Sequence, residues 1–127
     1  MHLIVDGFSS NPKLLESEEM VYRLLDSYPA QIGMTKVAPP YVFRYVGPKP
    51  EDWGISGFVI IAESHISIHT FPERRYVNID MFSCKDFDSE LAIRELKAQF
   101  ELTQFRSYLL KRGLEYSPIE ALELVRL

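Results

Sequence analysis

Residues 56–71 read SGFVIIAESHISIHTF, and this stretch decides the fold. Its first part, Ser56–Ala62, is a short and nearly continuous apolar run, which is typical of a buried central strand. From Ile66 onward apolar and polar residues alternate, so the second part predicts a strand with one apolar face and one functional face that carries His69. We therefore predict two consecutive strands that meet at Glu63-Ser64.

Several other segments have the composition of strands. The run from His2 to Phe8 predicts a first strand, and Met34–Val46 predicts strand material that Pro39-Pro40 interrupts, which favours an edge position or a bend. Apolar and polar residues also alternate in a later segment, in which Val77, Ile79 and Met81 share one face and the other face ends in Cys84. We predict that this alternating strand spans Tyr76–Cys84 and that a last strand spans Phe105–Leu110.

Two segments show helical periodicity. The first is expected to begin at Asn11-Pro12, where Asn caps the helix and Pro fits the first turn, and to close at Tyr28-Pro29. The second is expected to be capped by Asp86 or Asp88 and to bury a stripe of Ile93, Leu96 and Phe100. We predict a turn at Gly113 and a short helix over Ile119–Val125 near the end of the chain.

This element order predicts an α+β fold, a two-layer α/β sandwich with an antiparallel-rich sheet and two helices on one face. The other face carries His69 and Cys84 and would need cover. Pairing with a second copy of the chain provides that cover, so we expect a homodimer.

The composition restricts the classes of function. A chain of 127 residues with 46% hydrophobic residues predicts a single domain, residues 1–127, with a real core. The net charge is −4 and the basic residues are scattered, so neither nucleic acid nor an anionic membrane surface is an expected partner. One cysteine, no signal-like start and no long apolar segment favour a soluble cytoplasmic protein.

The reactive residues allow three interpretations. Cys84 and His69 could form a hydrolase pair, although no oxyanion loop or orienting group is visible. His65 and His69 could bind a metal, but we expect residues at this spacing to share a face only on a helix, and the window has a strand pattern. We therefore predict no metal site.

The third interpretation uses the backbone itself. The Ser64 hydroxyl can attack the carbonyl of Glu63 and convert the amide to an ester, if the fold strains the peptide and stabilises the oxyanion. A base such as His69 can then remove the Cα proton of Ser64 and expel the ester, leaving a dehydroalanine that hydrolyses to a pyruvoyl group.

In an unbroken strand Ser64 and His69 face opposite ways, so this interpretation requires a bend or bulge, which we predict at Glu63-Ser64. An uninterrupted ladder through residues 62–70 would count against His69 as the processing base.

The run Glu63-Ser64-His65-Ile66-Ser67-Ile68-His69-Thr70-Phe71-Pro72-Glu73, preceded by Gly54-Ile55-Ser56-Gly57 and followed by Asp80-Met81-Phe82-Ser83-Cys84, closely resembles the prokaryotic S-adenosylmethionine decarboxylases. That resemblance implies a proenzyme that cleaves itself between Glu63 and Ser64 into a β chain, residues 1–63, and an α chain, residues 64–127. It implies that Ser64 becomes the pyruvoyl cofactor, that Ser56 and His69 assist processing, and that Cys84 donates the proton in decarboxylation.

The resemblance also implies a substrate, a pathway and an assembly. The family makes the aminopropyl donor for spermidine biosynthesis, and its protomers pair through their sheets into an α-β-β-α sandwich. Phe71 and Trp53 are expected to stack on the adenine of the substrate. Glu73 either binds ribose hydroxyls or only faces water.

Four places depart from the family pattern. Phe71 stands where Trp is usual, Lys85 follows Cys84 where Gly is usual, Pro50 lies near the place of an adenine-stacking Phe, and the first strand ends differently, as Asp6-Gly7-Phe8-Ser9-Ser10. Relatives that decarboxylate arginine or ornithine share the pyruvoyl machinery, so those substrates are an alternative. A non-catalytic partner subunit is a further one.

Overall fold

The computed structural model describes residues 1–112 and 123–127, and eight strands of one sheet lie in these residues. Neighbouring strands are antiparallel, and the order across the sheet is β2-β4-β5-β6-β1-β7-β8, with β3 also pairing with β4. The strands are β1 His2–Ser9, β2 Thr35–Lys36, β3 Tyr41–Tyr45, β4 Gly54–Ala62, β5 Ser64–Phe71, β6 Tyr76–Ser83, β7 Leu102–Lys111 and β8 Glu123–Arg126.

The two strands predicted in residues 56–71 are β4 and β5, which form a hairpin inside the sheet. The predicted edge position of residues 34–46 is confirmed, since Pro39-Pro40 separates β2 from β3 and both short strands pair with β4. Proline cannot donate to a ladder, and for this reason the break falls at the border of the sheet.

The helices are α1 Pro12–Leu15, α2 Glu18–Gln31 and α3 Ser89–Gln99. The prediction of one unbroken helix from Asn11 was wrong. The side chain of Asn11 caps nothing and instead donates to Glu101, whereas the Ser17 hydroxyl accepts from Met20 N at 3.0 Å and starts α2. Two acidic residues follow Ser17 in the first turn, where the helix dipole favours them.

The predicted stop at Tyr28-Pro29 was also wrong, because α2 continues through Pro29 to Gln31. Pro29 lies in the last turn, where its missing N–H costs one helical hydrogen bond. Tyr28 and Pro29 are both buried. The helix ends where Gly33 adopts a positive φ of 78°, a conformation that glycine takes without penalty.

The second predicted helix is confirmed as α3, and Asp88 is its cap, accepting from Leu91 N at 2.9 Å. The predicted last strand is present in β7. The predicted helix over Ile119–Val125 is wrong for residues 123–125, which belong to β8, and its first four residues lie outside the described residues, as does Gly113.

The core lies between the helices and one face of the sheet, as predicted. Alternate strand residues are fully buried there, including Val5, Val59, Ile68 and Ile79, and they pack with Leu25 of α2 and Leu96 of α3 in one cluster. Thr70 is buried among them. Its hydroxyl accepts from Ile55 N at 2.9 Å and donates to Leu15 O at 2.7 Å, which ties β5 to β4 and α1.

The opposite side of the sheet, here called the open face, carries no helix of the described residues. It is rich in exposed aromatic side chains near the β3 edge, with Tyr41 58%, Phe43 55% and Phe58 39% exposed. Polar groups follow towards its centre: Ser56, His69, Asn78 and Asp6 lie in one row across four strands. Among the residues with a described placement, no helix is long and apolar enough to cross a membrane.

Candidate active site

The chain reverses direction directly before Ser64. Ile61 of β4 faces Ser64 of β5, so only Ala62 and Glu63 form the connection between the two strands. The Ala62–Glu63 peptide bond is cis, and Ser64 has a φ of 132°. Residues other than glycine seldom adopt this φ, and such conformations cost on the order of 1–3 kcal/mol. The predicted irregularity at Glu63-Ser64 is present, as a tight hairpin turn with backbone strain at Ser64.

The end of β6 runs alongside this turn. Ser64 pairs with Ser83, and the next residue, Cys84, places its thiol Sγ 3.5 Å from Ser64 Oγ. The backbone N–H of Cys84 donates to the carbonyl oxygen of Glu63 at 3.3 Å. Cys84 therefore contacts both groups that a hydroxyl attack on the Glu63 carbonyl would involve.

Ser56 and His69 form a second pair, on the open face. They are directly opposite each other in the β4–β5 hairpin, and Ser56 Oγ lies 2.9 Å from His69 Nδ1. The His69 side chain is exposed. On its other side His69 faces Asn78, whose amide donates to the Asp6 carboxylate at 2.7 Å.

The two pairs lie far apart within one chain. The pairing of β5 with β6 runs from Ser64 to Phe71 without a shift in register. At the usual rise of a strand, Ser64 and His69 are then about 16 Å apart. The hairpin turn does not shorten this distance, because it precedes Ser64. The turn at residues 62–63 interrupts the stretch 62–70, but from Ser64 to His69 the strand is unbroken, and the resulting distance counts against His69 as the base for Ser64 of its own chain.

The residues expected to bind the substrate form three further contacts. Trp53 donates its indole N–H to the carboxylate of Glu73 at 3.2 Å, and the guanidinium of Arg44 lies 4.5 Å from the centre of the indole ring. Phe71 is half-buried on the open face, with its ring centre 6.2 Å from that of Tyr76. Trp53 and Glu73 are thus joined, and Arg44 already covers one side of the indole.

The prediction about His65 and His69 used a wrong argument. Residues four apart in a strand do share a face, and both side chains lie on the open face of β5. They are nevertheless about 13 Å apart along the strand, which is too far for one ion. No group of three or more His, Cys, Asp or Glu side chains suited to a metal ion occurs within the described part of the chain.

Comparison with known proteins decides the family. The model of the S-adenosylmethionine decarboxylase family matches residues 1–113. The chain belongs to the S-adenosylmethionine decarboxylase family. It is thereby an enzyme of a carboxy-lyase family, as the resemblance predicted.

Individual members of the S-adenosylmethionine decarboxylase family support this assignment. The chain is 34% identical over 113 residues to a protein of Archaeoglobus fulgidus named S-adenosylmethionine decarboxylase proenzyme, covering 88% of this chain and 96% of that one. A protein of the same name from Clostridium botulinum (strain Loch Maree / Type A3) is 39% identical over 97 residues, covering 76% of this chain and 78% of that one.

A solved structure of the S-adenosylmethionine decarboxylase family has the same fold. The crystal structure of the adenosylmethionine decarboxylase from Aquifex aeolicus VF5 superposes with a TM-score of 0.74 at 24% identity, covering 94% of this chain and 95% of that chain. The predicted α+β architecture is confirmed.

Sequence reasoning missed two groups. One is the backbone N–H of Cys84, which bonds to the Glu63 carbonyl. No residue type signals a backbone donor, and only the register between β5 and β6 brings it there. The other is Arg44, whose position in the β3 sequence between two aromatic residues gave no reason to place it on Trp53.

Proposed function

We propose that this chain is a proenzyme that cleaves itself between Glu63 and Ser64 and then decarboxylates S-adenosylmethionine with a pyruvoyl group made from Ser64. The observation that supports it most is the contact of Cys84 with both the Ser64 hydroxyl and the Glu63 carbonyl, beside the strained backbone of that serine. The names of the relatives favour S-adenosylmethionine over arginine or ornithine as the substrate.

The local geometry suits the first step of processing. Ser64 Oγ attacks the carbonyl carbon of Glu63, and negative charge develops on an oxygen that already accepts a hydrogen bond from Cys84 N. The positive φ of Ser64 raises the free energy of the uncleaved turn, so rearrangement to an ester releases strain. Loss of the Cα proton of Ser64 then breaks the ester, frees the Glu63 carboxylate and leaves a dehydroalanine. Its hydrolysis consumes one water and releases one ammonia.

Decarboxylation needs an electron acceptor and one proton. A pyruvoyl carbonyl supplies the acceptor for the electrons of the bond that breaks when CO2 leaves. Residues 62–64 and Cys84 fit such a group, because position 64 lies at the end of a strand beside a half-buried thiol. The Cys84 thiol, which lies 3.5 Å from Ser64 Oγ, would donate the proton to the carbon that loses its carboxylate.

We infer that processing uses two copies of the chain, with the Ser56–His69 pair of one protomer beside the Ser64 of the other. The separation of about 16 Å within a protomer leaves Ser64 without this base. The exposed rings of Tyr41, Phe43 and Phe58 on the open face lie next to one another near β3, and such a cluster is typical of a surface that pairs. Two open faces packed together form the α-β-β-α sandwich and enclose the row that contains His69.

Two residues that we propose to bind the substrate, Phe71 and Glu73, follow His69 in the chain. Phe71 is two residues further along the open face of β5, where its ring can stack on the adenine. One carboxylate oxygen of Glu73 accepts from Trp53, and the other, which has no hydrogen-bond partner within the described part of the chain, would bind ribose hydroxyls. Trp53, whose indole packs against the hydrophobic core and beside the Arg44 guanidinium, acts by orienting Glu73.

Intact mass spectrometry of the purified chain tests the proposed class. We expect two species, residues 1–63 and a fragment that begins with a pyruvoyl group at position 64, and CO2 release from S-adenosylmethionine. Only one species after long incubation, with no carbonyl that reacts with hydrazines, would favour a non-catalytic partner subunit. If two species form but CO2 is released only from arginine or ornithine, the chain is still a self-processing decarboxylase, and S-adenosylmethionine is refuted as its substrate.

Cys84→Ala should separate the two roles of Cys84. The variant keeps the backbone N–H at the Glu63 carbonyl, so the chain should still split, whereas turnover should fall about 10²- to 10⁴-fold because the proton donor is gone. Steady-state CO2 release on fully cleaved protein measures this effect. Normal turnover by Cys84→Ala would contradict its assignment as the proton donor.

A further inference from the structure

Two short 3-10 turns lie at the end of the β4–β5 hairpin away from its connecting turn. The first, here called the Pro50 turn, spans Pro50–Asp52 and precedes β4, and the second, the Pro72 turn, spans Pro72–Arg74 and follows β5. Because β4 and β5 pair with each other, the two turns lie side by side. The approach is close, since a Cβ atom on Gly54 would lie 1.7 Å from the backbone oxygen of Thr70, so only glycine fits at the start of β4.

Two side-chain contacts join the turns, and they involve neighbouring residues on both sides. Trp53, directly after the Pro50 turn, donates its indole N–H to Glu73 at 3.2 Å. Arg74, the residue after Glu73, donates its Nε–H to Asp52 Oδ1 at 2.9 Å, and a second guanidinium nitrogen lies 2.9 Å from the same oxygen. A single contact would allow the Glu73 side chain and the Pro50 turn to pivot about it, whereas two adjacent contacts fix their relative position.

The two turns differ in how the rest of the fold holds them. Pro72 is buried, and the backbone N–H of Ser9 donates to the carbonyl oxygen directly after the Pro72 turn at 2.8 Å. The Pro50 turn buries no residue. The indole of Trp53 packs against the core, but among the hydrogen bonds of the described residues only that of Asp52 with Arg74 ties the turn itself to another part of the chain.

We propose that Asp52 and Arg74 are positioning residues for the substrate. Their ion pair holds the two turns together, so that the indole N–H keeps one oxygen of the Glu73 carboxylate in place and leaves the other for the ribose hydroxyls. A carboxylate that is oriented before the substrate arrives loses less rotational freedom on binding, which lowers KM. This inference rests on the proposed function, because the ion pair has this role only if the substrate is a nucleoside with free ribose hydroxyls.

The ion pair is partly exposed, since 50% of the Arg74 side chain and 36% of the Asp52 side chain are accessible to solvent. Breaking an exposed ion pair changes an affinity by no more than about fivefold. Asp52→Asn keeps the shape of the side chain and removes its charge, so we expect KM for S-adenosylmethionine to rise about two- to fivefold. The value of kcat should stay within about twofold of the parent value, because the weakened contact is made equally before and during the reaction. Steady-state CO2 release by fully cleaved protein measures both constants.

Two further variants accompany Asp52→Asn. The double variant Asp52→Arg with Arg74→Asp exchanges the two charges, and it should return KM to within about twofold of the parent value because the ion pair forms again in the opposite direction. Glu19→Gln is the matched control. Glu19 forms an exposed ion pair with Arg23 on α2, and the loss of that pair should leave KM unchanged.

Adenosine and 2′,3′-dideoxyadenosine test the contact itself, because they differ only in the two ribose hydroxyls. Isothermal titration calorimetry on the cleaved protein should show that the parent chain binds adenosine more tightly. We expect Asp52→Asn to lose part of this preference and Glu73→Gln to lose most of it. The affinity for the dideoxy compound should be the same in all three proteins.

A parent chain that cleaves and turns over, with an Asp52→Asn variant that keeps both the parent KM and the parent preference for adenosine, would overturn this inference alone. Equal binding of the two nucleosides by the parent chain would also overturn it, since no ribose contact would then exist to be positioned. Impaired cleavage or a fall in kcat at unchanged preference would show that the ion pair serves folding instead. Absence of cleavage and of CO2 release from the parent chain would refute the proposed function, and this inference with it.

Discussion

Ser64→Ala should remain one uncleaved chain of 127 residues and release no measurable CO2. Alanine has no hydroxyl to attack the Glu63 carbonyl, so neither the ester nor the pyruvoyl group can form. The variant should still fold, because among the described residues Ser64 Oγ makes one side-chain hydrogen bond, with Cys84 Sγ, and β5 keeps its pairing with β4 and β6. Intact mass and circular dichroism together measure both expectations.

Ser67→Ala is the matched control for this variant. Ser67 lies on the open face of the same strand and has a similar degree of exposure, but it is three residues from the turn. We expect this control to split as the parent chain does. Splitting of a correctly folded Ser64→Ala at the same peptide bond would exclude the Ser64 hydroxyl as the nucleophile and remove the basis of the proposed cofactor.

Mixing two inactive variants should restore cleavage. His69→Ala alone should stay uncleaved, or cleave far more slowly, since it lacks the base. When it is co-expressed with Ser64→Ala, a mixed dimer has one site that combines an intact Ser64 with an intact His69 from the other chain. With random pairing, about half of the His69→Ala chains join such dimers, so about half should be cleaved.

The mass of the product identifies the chain that was cut. Only the His69→Ala chain can split in the mixture, so every pyruvoyl-bearing fragment must have the lower mass that the His69→Ala substitution gives. Absence of that fragment from dimers shown to be mixed would refute a site shared between protomers. Rapid cleavage of His69→Ala by itself would instead show that His69 takes no part in processing.

Local patterns predicted the architecture well because the alternation of residue types along each strand indicates which of its side chains are buried. Val77, Ile79 and Met81 alternate with polar or aromatic neighbours, and all three are fully buried in β6. The errors fall where local signals compete. Ser17 interrupts a segment of helical periodicity with a better cap than Asn11, and the burial of Tyr28 and Pro29 outweighs the tendency of proline to end a helix.

The reactive side chains of the candidate site were visible in the sequence, since a serine after a glutamate, a lone thiol and a histidine on a polar strand face are chemical identities. Their distances were not visible. Whether Ser64 meets Cys84 depends on which residues face each other across β5 and β6, a register set by the connection at residues 72–75, whereas His69 stays five residues from Ser64 along the same strand. A turn is defined by backbone dihedral angles that many sequences can adopt, so only the folded chain decides that the thiol lies beside Ser64 and the histidine does not.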